Sequence, residues 1–254
     1  MIRTGLVSVT FRKLEPAEIV RLAVTAGVDG IEWGGDVHVP PSEPARAAEV
    51  RQMTEANGLR VAAYGSYYRV GHEGEEGNAF LPVLKAAVGL GAPIIRVWAG
   101  RVGSAEAGPE GWKKVIEDSG RIADLAAQEG IRIAYEFHSR TLTDTPESAR
   151  SLLEQVNHPN LSSYWQPPVG EDTETCLWGL RLIQPWLTNL HVFHFVGAEQ
   201  RALEEGREAW RLYFGLARED GADRYALIEF VRGETPAQFL DDAAVLKALL
   251  QERE

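Results

Sequence analysis

The sequence predicts an α/β protein, a single closed (β/α)8 barrel. Apolar runs of strand length alternate with helical runs eight times along the 254 residues. These units are evenly spaced, and no linker or change in composition divides them. Strict alternation of strands and helices is typical of a parallel sheet, and eight units at this length favour a closed barrel. We therefore expect one domain over residues 1–254.

The predicted strands are short and apolar through their middles, as is typical of strands that are buried on both faces. They cover residues 2–11, 29–33, 60–68, 93–99, 132–139, 161–166, 187–195 and 225–231.

The predicted helices repeat apolar residues at helical spacing. They cover residues 16–26, 47–57, 80–89, 112–128, 146–156, 174–183, 208–218 and 236–250. Proline is tolerated in the first turn of a helix, and glycine commonly ends one. Prolines that indicate helix starts are Pro16, Pro146 and Pro236, and glycines that indicate helix ends are Gly27, Gly58 and Gly130.

The alternative for such a strand–helix pattern is a doubly wound open sheet. Open sheets that bind dinucleotides carry a glycine-rich phosphate loop after the first strand. Residues 10–13, at the turn between the first predicted strand and the first predicted helix, contain no glycine. The barrel is therefore favoured.

The charge of the chain argues against a nucleic-acid partner. Its net charge is −11 at pH 7, and its lysines and arginines form no basic stripe. Proteins that grip a nucleic-acid backbone usually carry such a stripe, because they replace the counterions of the phosphates. The acidity itself indicates solubility rather than a particular fold.

The cysteine content and the hydropathy of the chain indicate in which cellular compartment the protein is expected. Cys176 is the single cysteine, so neither an internal disulfide nor a cysteine-based zinc cluster can form. No apolar run approaches the roughly 20 residues that cross a bilayer, and no leader with a cleavage site is recognisable. We expect a cytoplasmic protein with no membrane partner, and a homo-oligomeric state is left open.

Metal-binding types of side chain occur where four of the predicted strands end. These residues are Glu136, Gln166, His191 and Glu229. The carboxyl ends of all strands share one rim of a barrel, where active sites of this architecture lie. If the four side chains meet there, they form an oxygen-rich site with one imidazole, which suits a hard or borderline divalent cation. We expect Mn²⁺, with Mg²⁺, Co²⁺ or Zn²⁺ as alternatives.

Glu136 and Glu229 are the strongest indications of this metal site. Each follows apolar residues and precedes an aromatic one, and a carboxylate in such a setting is costly unless it is paired or bound to a metal. A lone His or Glu at a strand end is otherwise usually a solvated residue or half of an ion pair. Five of the six histidines fall at this one rim, which favours a site: His38, His72, His138, His191 and His194.

Further side chains at the same rim are candidates for binding a substrate. Polar groups would bind hydroxyl groups or a carboxylate, and aromatic rings would stack on the apolar face of a sugar. Core packing is the alternative for each aromatic ring. The candidates are Glu32, His38, Tyr64, Arg96, Trp98, His138, Trp165 and His194.

Several short segments together resemble the sugar phosphate isomerase/epimerase family, the xylose isomerase-like TIM barrels. These are residues 29–33 with His38, 135–138, 164–167, 190–192 and 228–229. The resemblance covers nearly the whole chain in order and spacing. The family includes ketose 3-epimerases, hydroxypyruvate isomerase, inosose isomerases and dehydratases, and the endonuclease IV repair enzymes.

The resemblance implies one divalent metal held by a Glu, an Asp, a His and a Glu on strands five to eight. In this chain these positions are Glu136, Gln166, His191 and Glu229. Gln166 departs from the pattern, because an amide oxygen can bind a hard cation but brings no charge, so metal binding should be weaker. The additional Glu that some epimerases carry after the strand-five ligand is missing, and Leu142 and Thr143 lie in that region instead.

The resemblance implies a metal-dependent isomerase or epimerase acting on a small sugar, polyol or keto-sugar derivative. Proton abstraction beside a carbonyl would give an enediolate, with Glu136 and Glu229 as base and acid and the metal as Lewis acid. One alternative is an inosose-type dehydratase, which begins with the same enolisation. Another is a non-catalytic sugar-binding barrel with a weakened metal site, which Gln166 suggests. Small carbohydrates or polyols are the expected partners.

Overall fold

The computed structural model describes residues 1–252, without the side chain of Glu76, and confirms the predicted (β/α)8 barrel. Within the described residues, the barrel strands are β1 (Ile2–Val7), β2 (Gly30–Gly34), β3 (Arg60–Arg69), β4 (Ile94–Trp98), β5 (Arg132–Tyr135), β6 (Leu161–Trp165), β7 (Leu187–Val192) and β10 (Arg224–Ile228). These eight strands pair in parallel and close in the order β1-β10-β7-β6-β5-β4-β3-β2.

A helix follows each barrel strand and packs around the outside. The helices are α1 (Pro16–Ala26), α2 (Pro44–Ala56), α3 (Phe80–Leu90), α4 (Pro109–Gln128), α5 (Pro146–Val156), α6 (Thr173–Ile183), α7 (Arg207–Arg218) and α8 (Pro236–Gln251). The starts predicted at Pro16, Pro146 and Pro236 are confirmed. The hydroxyl groups of Thr145 and Thr235 cap α5 and α8 by accepting backbone N–H groups, which would otherwise lack a partner.

The apolar core forms two layers. The larger layer lies between the barrel and the helices. The smaller layer fills the inside of the barrel and includes Val7, Ala63, Ala134, Tyr164 and Leu227. Along each strand, side chains alternate between these layers. Residues that lie two positions beyond the inner layer therefore point into the mouth of the barrel.

The first predicted strand was too long. The strand ends at Val7, and Ser8–Phe11 forms a 3-10 turn whose four residues are all buried. Apolar residues continue through this turn because the turn packs into the core. Burial, and not strand geometry, produced the pattern.

The prediction of one strand over residues 187–195 was also wrong. Strand β7 ends at Val192, and residues beyond it form a two-stranded antiparallel hairpin of β8 (His194–Val196) and β9 (Glu199–Arg201). The hairpin turns through Gly197, whose φ of 58° suits glycine. The run of apolar and aromatic residues gave no sign of this break.

Two further strands end earlier than predicted. β5 ends at Tyr135 and β10 at Ile228, so Glu136 and Glu229 each come directly after a strand. Phe230 has a φ of 61°, which is outside the strand region for a non-glycine residue. Among residues 1–252, the helices are all too short or too polar to cross a membrane. That one domain covers residues 1–254 stays a prediction.

Candidate active site

A layer of charged side chains lies in the mouth of the barrel, above the inner apolar layer. Glu32 is on β2, Arg96 on β4 and His191 on β7, while Glu136 and Glu229 follow β5 and β10. The exposed fraction of each of these five residues is 4% or less. Burying so many charged groups is costly unless they compensate one another or bind an ion.

The sheet fixes the positions of the two carboxylates just beyond the strands. The backbone N–H of Glu136 donates to Val97 O at 2.9 Å, and that of Glu229 donates to Val192 O at 3.0 Å. The ladder of hydrogen bonds thus continues one residue past each strand. Side chains two positions apart on a strand share a face. Ala134 and Leu227 belong to the inner layer, so Glu136 and Glu229 also point inward.

Glu136, His191 and Glu229 come together as the sequence led us to expect. One potential ligand atom from each lies within 4.8 Å of the other two. His191 Nδ1 lies 3.1 Å from Glu229 Oε2 and 3.0 Å from Gln166 Oε1. The side chains of all four predicted ligands therefore converge, and their role as metal ligands stays a prediction.

The other side of the His191 ring faces a second carboxylate. Its Nε2 lies 3.5 Å from Glu32 Oε2. A metal-binding imidazole commonly has a carboxylate on its other nitrogen, which fixes the tautomer and the ring orientation. Tyr164 packs edge-on against the ring at 5.0 Å between centroids, and Asn189 donates to the Tyr164 hydroxyl at 2.9 Å.

Arg96 links two of the carboxylates. Its Nε donates to Glu32 Oε1 at 2.7 Å, and its Nη1 donates to Glu136 Oε2. Trp98 Nε1 donates to the same oxygen of Glu136. Glu136 is therefore held from the β4 side, while Glu229 is held by His191.

The charges of this layer fit a divalent cation. Three buried carboxylates, Glu32, Glu136 and Glu229, outnumber the one guanidinium of Arg96 by two. A cation of charge +2 beside a neutral His191 would compensate this excess. The donor set of two carboxylate groups, one imidazole and one amide oxygen is also a suitable one for Mn²⁺ or Mg²⁺. The residues present thus fit a divalent metal.

The same charges shift the pKa values of the layer. Burial alone would raise the pKa of Glu32, but Arg96 and His191 lower it to about 2. Burial alone would lower the pKa of His191, but Glu229 and Glu32 raise it to about 10. Burial also opposes ionisation of Glu229, yet His191 and Arg96 hold its pKa below the usual range. The layer therefore attracts positive charge strongly.

Part of the charged layer forms the floor of a cavity of about 530 Å³. This volume lies within the range of roughly 300–1,000 Å³ that is typical of small-molecule sites. Arg96, Glu136, Gln166 and Glu229 all line it. Its walls are largely aromatic: Tyr67, Trp98, Phe137, Phe193, Phe195 and Phe230.

Some of the predicted substrate-binding residues reach this cavity or its floor. Arg96 lines the floor of the cavity, and Glu32 lies beneath it, fully buried and bound to Arg96. Trp98 and His138 form part of the wall, where their rings stack with centroids 4.7 Å apart. These four residues remain in the proposed site.

The structure does not bring the other four candidates to the cavity. Tyr64 is fully buried outside the barrel wall and donates to Val39 O at 2.8 Å. Trp165 is fully buried against Tyr213 of α7. Both side chains point outward from their strands and do not line the cavity in the barrel mouth.

The two remaining histidines also have local structural partners. His38 is buried, and its ring nitrogens lie 2.9 Å from Ser8 Oγ and 3.2 Å from Leu14 O. His194 belongs to the hairpin and packs against Gly206, where it lines a small cavity of about 110 Å³ that lies on the far side of Phe193 and Phe195, which line both cavities. We therefore remove His38, Tyr64, Trp165 and His194 from the proposed site.

The sequence did not single out several residues that line the cavity. Arg12, Phe193, Phe195 and Phe230 are the clearest cases. Phe230 directly follows Glu229 and has a left-handed backbone, which is uncommon for a bulky residue and often marks a functional site. Its sequence neighbourhood gives no signal of this conformation.

The fold and the charged layer define a (β/α)8 barrel with a buried carboxylate–histidine group in its mouth. The chain belongs to the xylose isomerase-like TIM barrel family, whose model matches residues 20–249. The predicted family membership is thereby confirmed. This family consists mainly of enzymes.

One curated relative is a 3-dehydroshikimate dehydratase of Bacillus anthracis. It is 32% identical to this chain over 111 residues, which make up 41% of this chain and 38% of that protein. The match thus spans less than half the length of the relative.

Two solved structures share the fold over nearly the full chain. AsbF of Bacillus anthracis, a probable 3-DHS dehydratase involved in petrobactin synthesis, has a TM-score of 0.78 at 20% identity and covers 97% of this chain and 99% of its own. The 3-keto-D-glucoside 4-epimerase YcjR of E. coli has a TM-score of 0.73 at 17% identity and covers 99% of this chain and 100% of its own. At these identities the similarity shows the fold alone.

Proposed function

We propose that this protein is a divalent-metal-dependent isomerase or epimerase of a small sugar, polyol or keto-sugar derivative. One observation carries the proposal: the ligand atoms of Glu136, His191 and Glu229 cluster within 4.8 Å of one another. The two carboxylates of this cluster line a cavity of small-molecule size.

Glu136, Gln166, His191 and Glu229 would hold the metal. When bound, a divalent cation supplies Lewis-acid polarisation of a carbonyl and stabilises negative charge that develops on it. We expect Mn²⁺, and Mg²⁺, Co²⁺ and Zn²⁺ are the alternatives to be tested against it.

Glu229 is the proposed base. Its lowered pKa keeps it ionised at neutral pH, so it can accept a proton from the carbon beside the substrate carbonyl. The electron pair of that C–H bond then forms the enediolate. An isomerisation is completed when a proton adds to the former carbonyl carbon and the hydroxyl proton passes to the former carbonyl oxygen, so that the new carbonyl forms on the carbon that lost its proton. An epimerisation is completed when a proton adds to the opposite face of the carbon that lost one.

Glu136 is the proposed second catalytic carboxylate. In an epimerisation it would take up a proton from solvent and deliver it to the face of the enediolate opposite Glu229, whereas in an isomerisation Glu229 would return the proton that it had taken. Arg96 and Trp98 fix one of its oxygens through hydrogen bonds. Holding the two carboxylates rigidly on either side of the substrate supports catalysis by positioning. Trp98 and His138 in the wall would contact the substrate.

A dehydratase is the second candidate, and the 32% identity to a 3-dehydroshikimate dehydratase favours it. The first step would be the same proton abstraction by Glu229. The electron pair would then expel the hydroxyl group on the β-carbon, which leaves with a proton as water. The two candidates therefore differ in the product and not in the base.

The test is NMR of the purified protein in D₂O with a panel of ketoses and cyclic polyhydroxy ketones. The protein is first treated with a chelator and then reloaded with Mn²⁺, removing free metal before the spectra are recorded. Deuterium uptake at carbon without loss of water supports the isomerase or epimerase, and formation of an unsaturated ketone supports the dehydratase. Absence of both, together with failure to bind Mn²⁺, would overturn the proposal.

Gln166 offers a prediction about metal affinity. We expect Gln166→Asp to bind Mn²⁺ at least roughly tenfold more tightly, because the charge of the ligands tunes the affinity of such sites. Isothermal titration calorimetry of the metal-free protein measures the change. Gln52→Asp, on the exposed face of α2, is the matched control and should leave the affinity unchanged. Equal affinity of the Gln166→Asp variant and the wild type would show that Gln166 is not a ligand.

A further inference from the structure

A second and larger cavity adjoins the proposed active site. Its volume is about 920 Å³. Tyr67, Trp98, His138 and Ser139 line both cavities, so the two share a wall. We call the second cavity the arginine groove after Arg69, Arg101 and Arg140, which line it. The proposed function does not use it.

Cationic side chains line the arginine groove, although the protein is strongly acidic. Three arginines and one histidine line it, and none of its described lining side chains is an aspartate or a glutamate. The chain as a whole has a net charge of −11. A concave region of the opposite sign draws anions towards it and raises their local concentration.

Two of the arginines, Arg69 and Arg140, make no ion pair within the part of the chain that the structure describes. Arg69 instead lies over the Trp98 ring, 3.4 Å from its centroid, and donates to Gly100 O at 3.4 Å. Burial and the neighbouring charge of Arg101 lower the pKa of Arg69 to about 10. An anion beside Arg69 would oppose this lowering, as the charge of Glu136 already does in part.

The shared wall connects this charge to the proposed chemistry. Trp98 carries Arg69 on its ring, stacks with His138 and donates to Glu136 in the charged layer. A molecule that spans the wall would thus place one end beside Glu136 and the other beside the arginines. Guanidinium groups are well suited to phosphate and carboxylate oxygens, which they bind through paired hydrogen bonds.

We propose that the arginine groove binds an anionic group of the substrate, a phosphate or a carboxylate, at the end remote from the reacting carbon. This inference rests on the proposed function, because it takes the bound molecule to be the substrate. Binding of an anion in the groove does not itself require turnover. It narrows the substrate class to acidic or phosphorylated sugar derivatives.

The first experiment measures anion binding alone. Isothermal titration calorimetry of the full chain with inorganic phosphate, and separately with acetate, compares the two chemistries. Arg140→Gln removes an exposed charge at the groove, and we expect it to weaken binding of the preferred anion by roughly fivefold. Arg132→Gln, at the exposed start of β5, is the matched control and should bind as the wild type does.

The second experiment links the groove to the cavity. Binding of D-fructose and of D-fructose 6-phosphate is compared, and for a carboxylate D-glucose is compared with D-glucuronate. In one of these two pairs, we expect the anionic sugar to bind more tightly than the neutral sugar. We expect Arg140→Gln to reduce this ratio of affinities by roughly fivefold.

Two results would overturn the inference: no saturable binding of phosphate or acetate, or equal binding by Arg140→Gln and the wild type. Either can occur while the Mn²⁺-dependent exchange reaction is intact. Conversely, anion binding can persist when no reaction is found, so the failures of the two proposals are distinguishable.

Discussion

Replacing Glu229 with Gln is expected to lower the rate of carbon-bound deuterium uptake by roughly 10²–10⁴-fold, the usual contribution of a general base. The amide has nearly the same shape as the carboxylate but cannot accept the proton. Because the backbone N–H of residue 229 still donates to Val192 O, the fold should persist. Exchange rates by NMR and a thermal melt by circular dichroism measure both effects.

The matched control for this substitution is Glu234→Gln. Glu234 lies five positions further along the same connection and is exposed, so its replacement removes the same charge outside the cavity. It should retain the wild-type exchange rate. Wild-type exchange in the Glu229→Gln variant, on a substrate that the wild type turns over, would refute the assignment of Glu229 as the base.

Replacing Arg96 with Gln is expected to cost about 3–5 kcal/mol in the free energy of unfolding. That is the usual cost of removing one partner of a buried ion pair, because the remaining charges stay buried and uncompensated. Arg96 is 2% exposed and bonds to both Glu32 and Glu136. Urea unfolding followed by circular dichroism measures the loss. Arg21→Gln, on the exposed face of α1, should change stability by less than about 0.5 kcal/mol.

A double variant separates this cause from poor packing of the new side chain. Adding Glu32→Gln to Arg96→Gln removes one of the uncompensated charges, so we expect it to recover part of the loss. If the double variant were no more stable than the single variant, uncompensated charge would not be the reason for the loss.

The contribution of Glu32 to stability should depend on pH in a defined direction. Its pKa falls from 4.5 to about 2 on folding, so the folded protein favours the carboxylate. The stabilisation is therefore complete above pH 4.5 and is lost as the pH falls through about 2. The stability difference between the wild type and Arg96→Gln should shrink over the same interval.

The sequence was sufficient to predict the barrel and to nominate Glu136, His191 and Glu229. Each of the two carboxylates directly follows an apolar strand, and this placement is unusual enough to be informative. Their convergence follows from the architecture, because all parallel strands end at one rim. Their catalytic and metal-binding roles stay predictions.

The sequence could not predict in the same way whether an aromatic side chain on a strand points into the barrel or towards the helices. Strands of a parallel barrel are buried on both faces, so their sequences show no alternation of polar and apolar residues. Tyr64 and Trp165 were therefore placed at the site, although both point towards the helices. The turn at Ser8–Phe11 and the hairpin after β7 were missed because apolar residues are buried there without continuing a strand.

The sequence by itself determined the succession of strands and helices, and hence the barrel and the rim where the polar strand ends meet. Local patterns of hydrophobicity and helix capping are sufficient for this. Only the tertiary structure decided which side chains share the inside of the barrel, as Arg96 does with Glu32 at 64 residues' separation. Such pairs depend on register and on closure of the sheet, which no stretch of the sequence encodes alone.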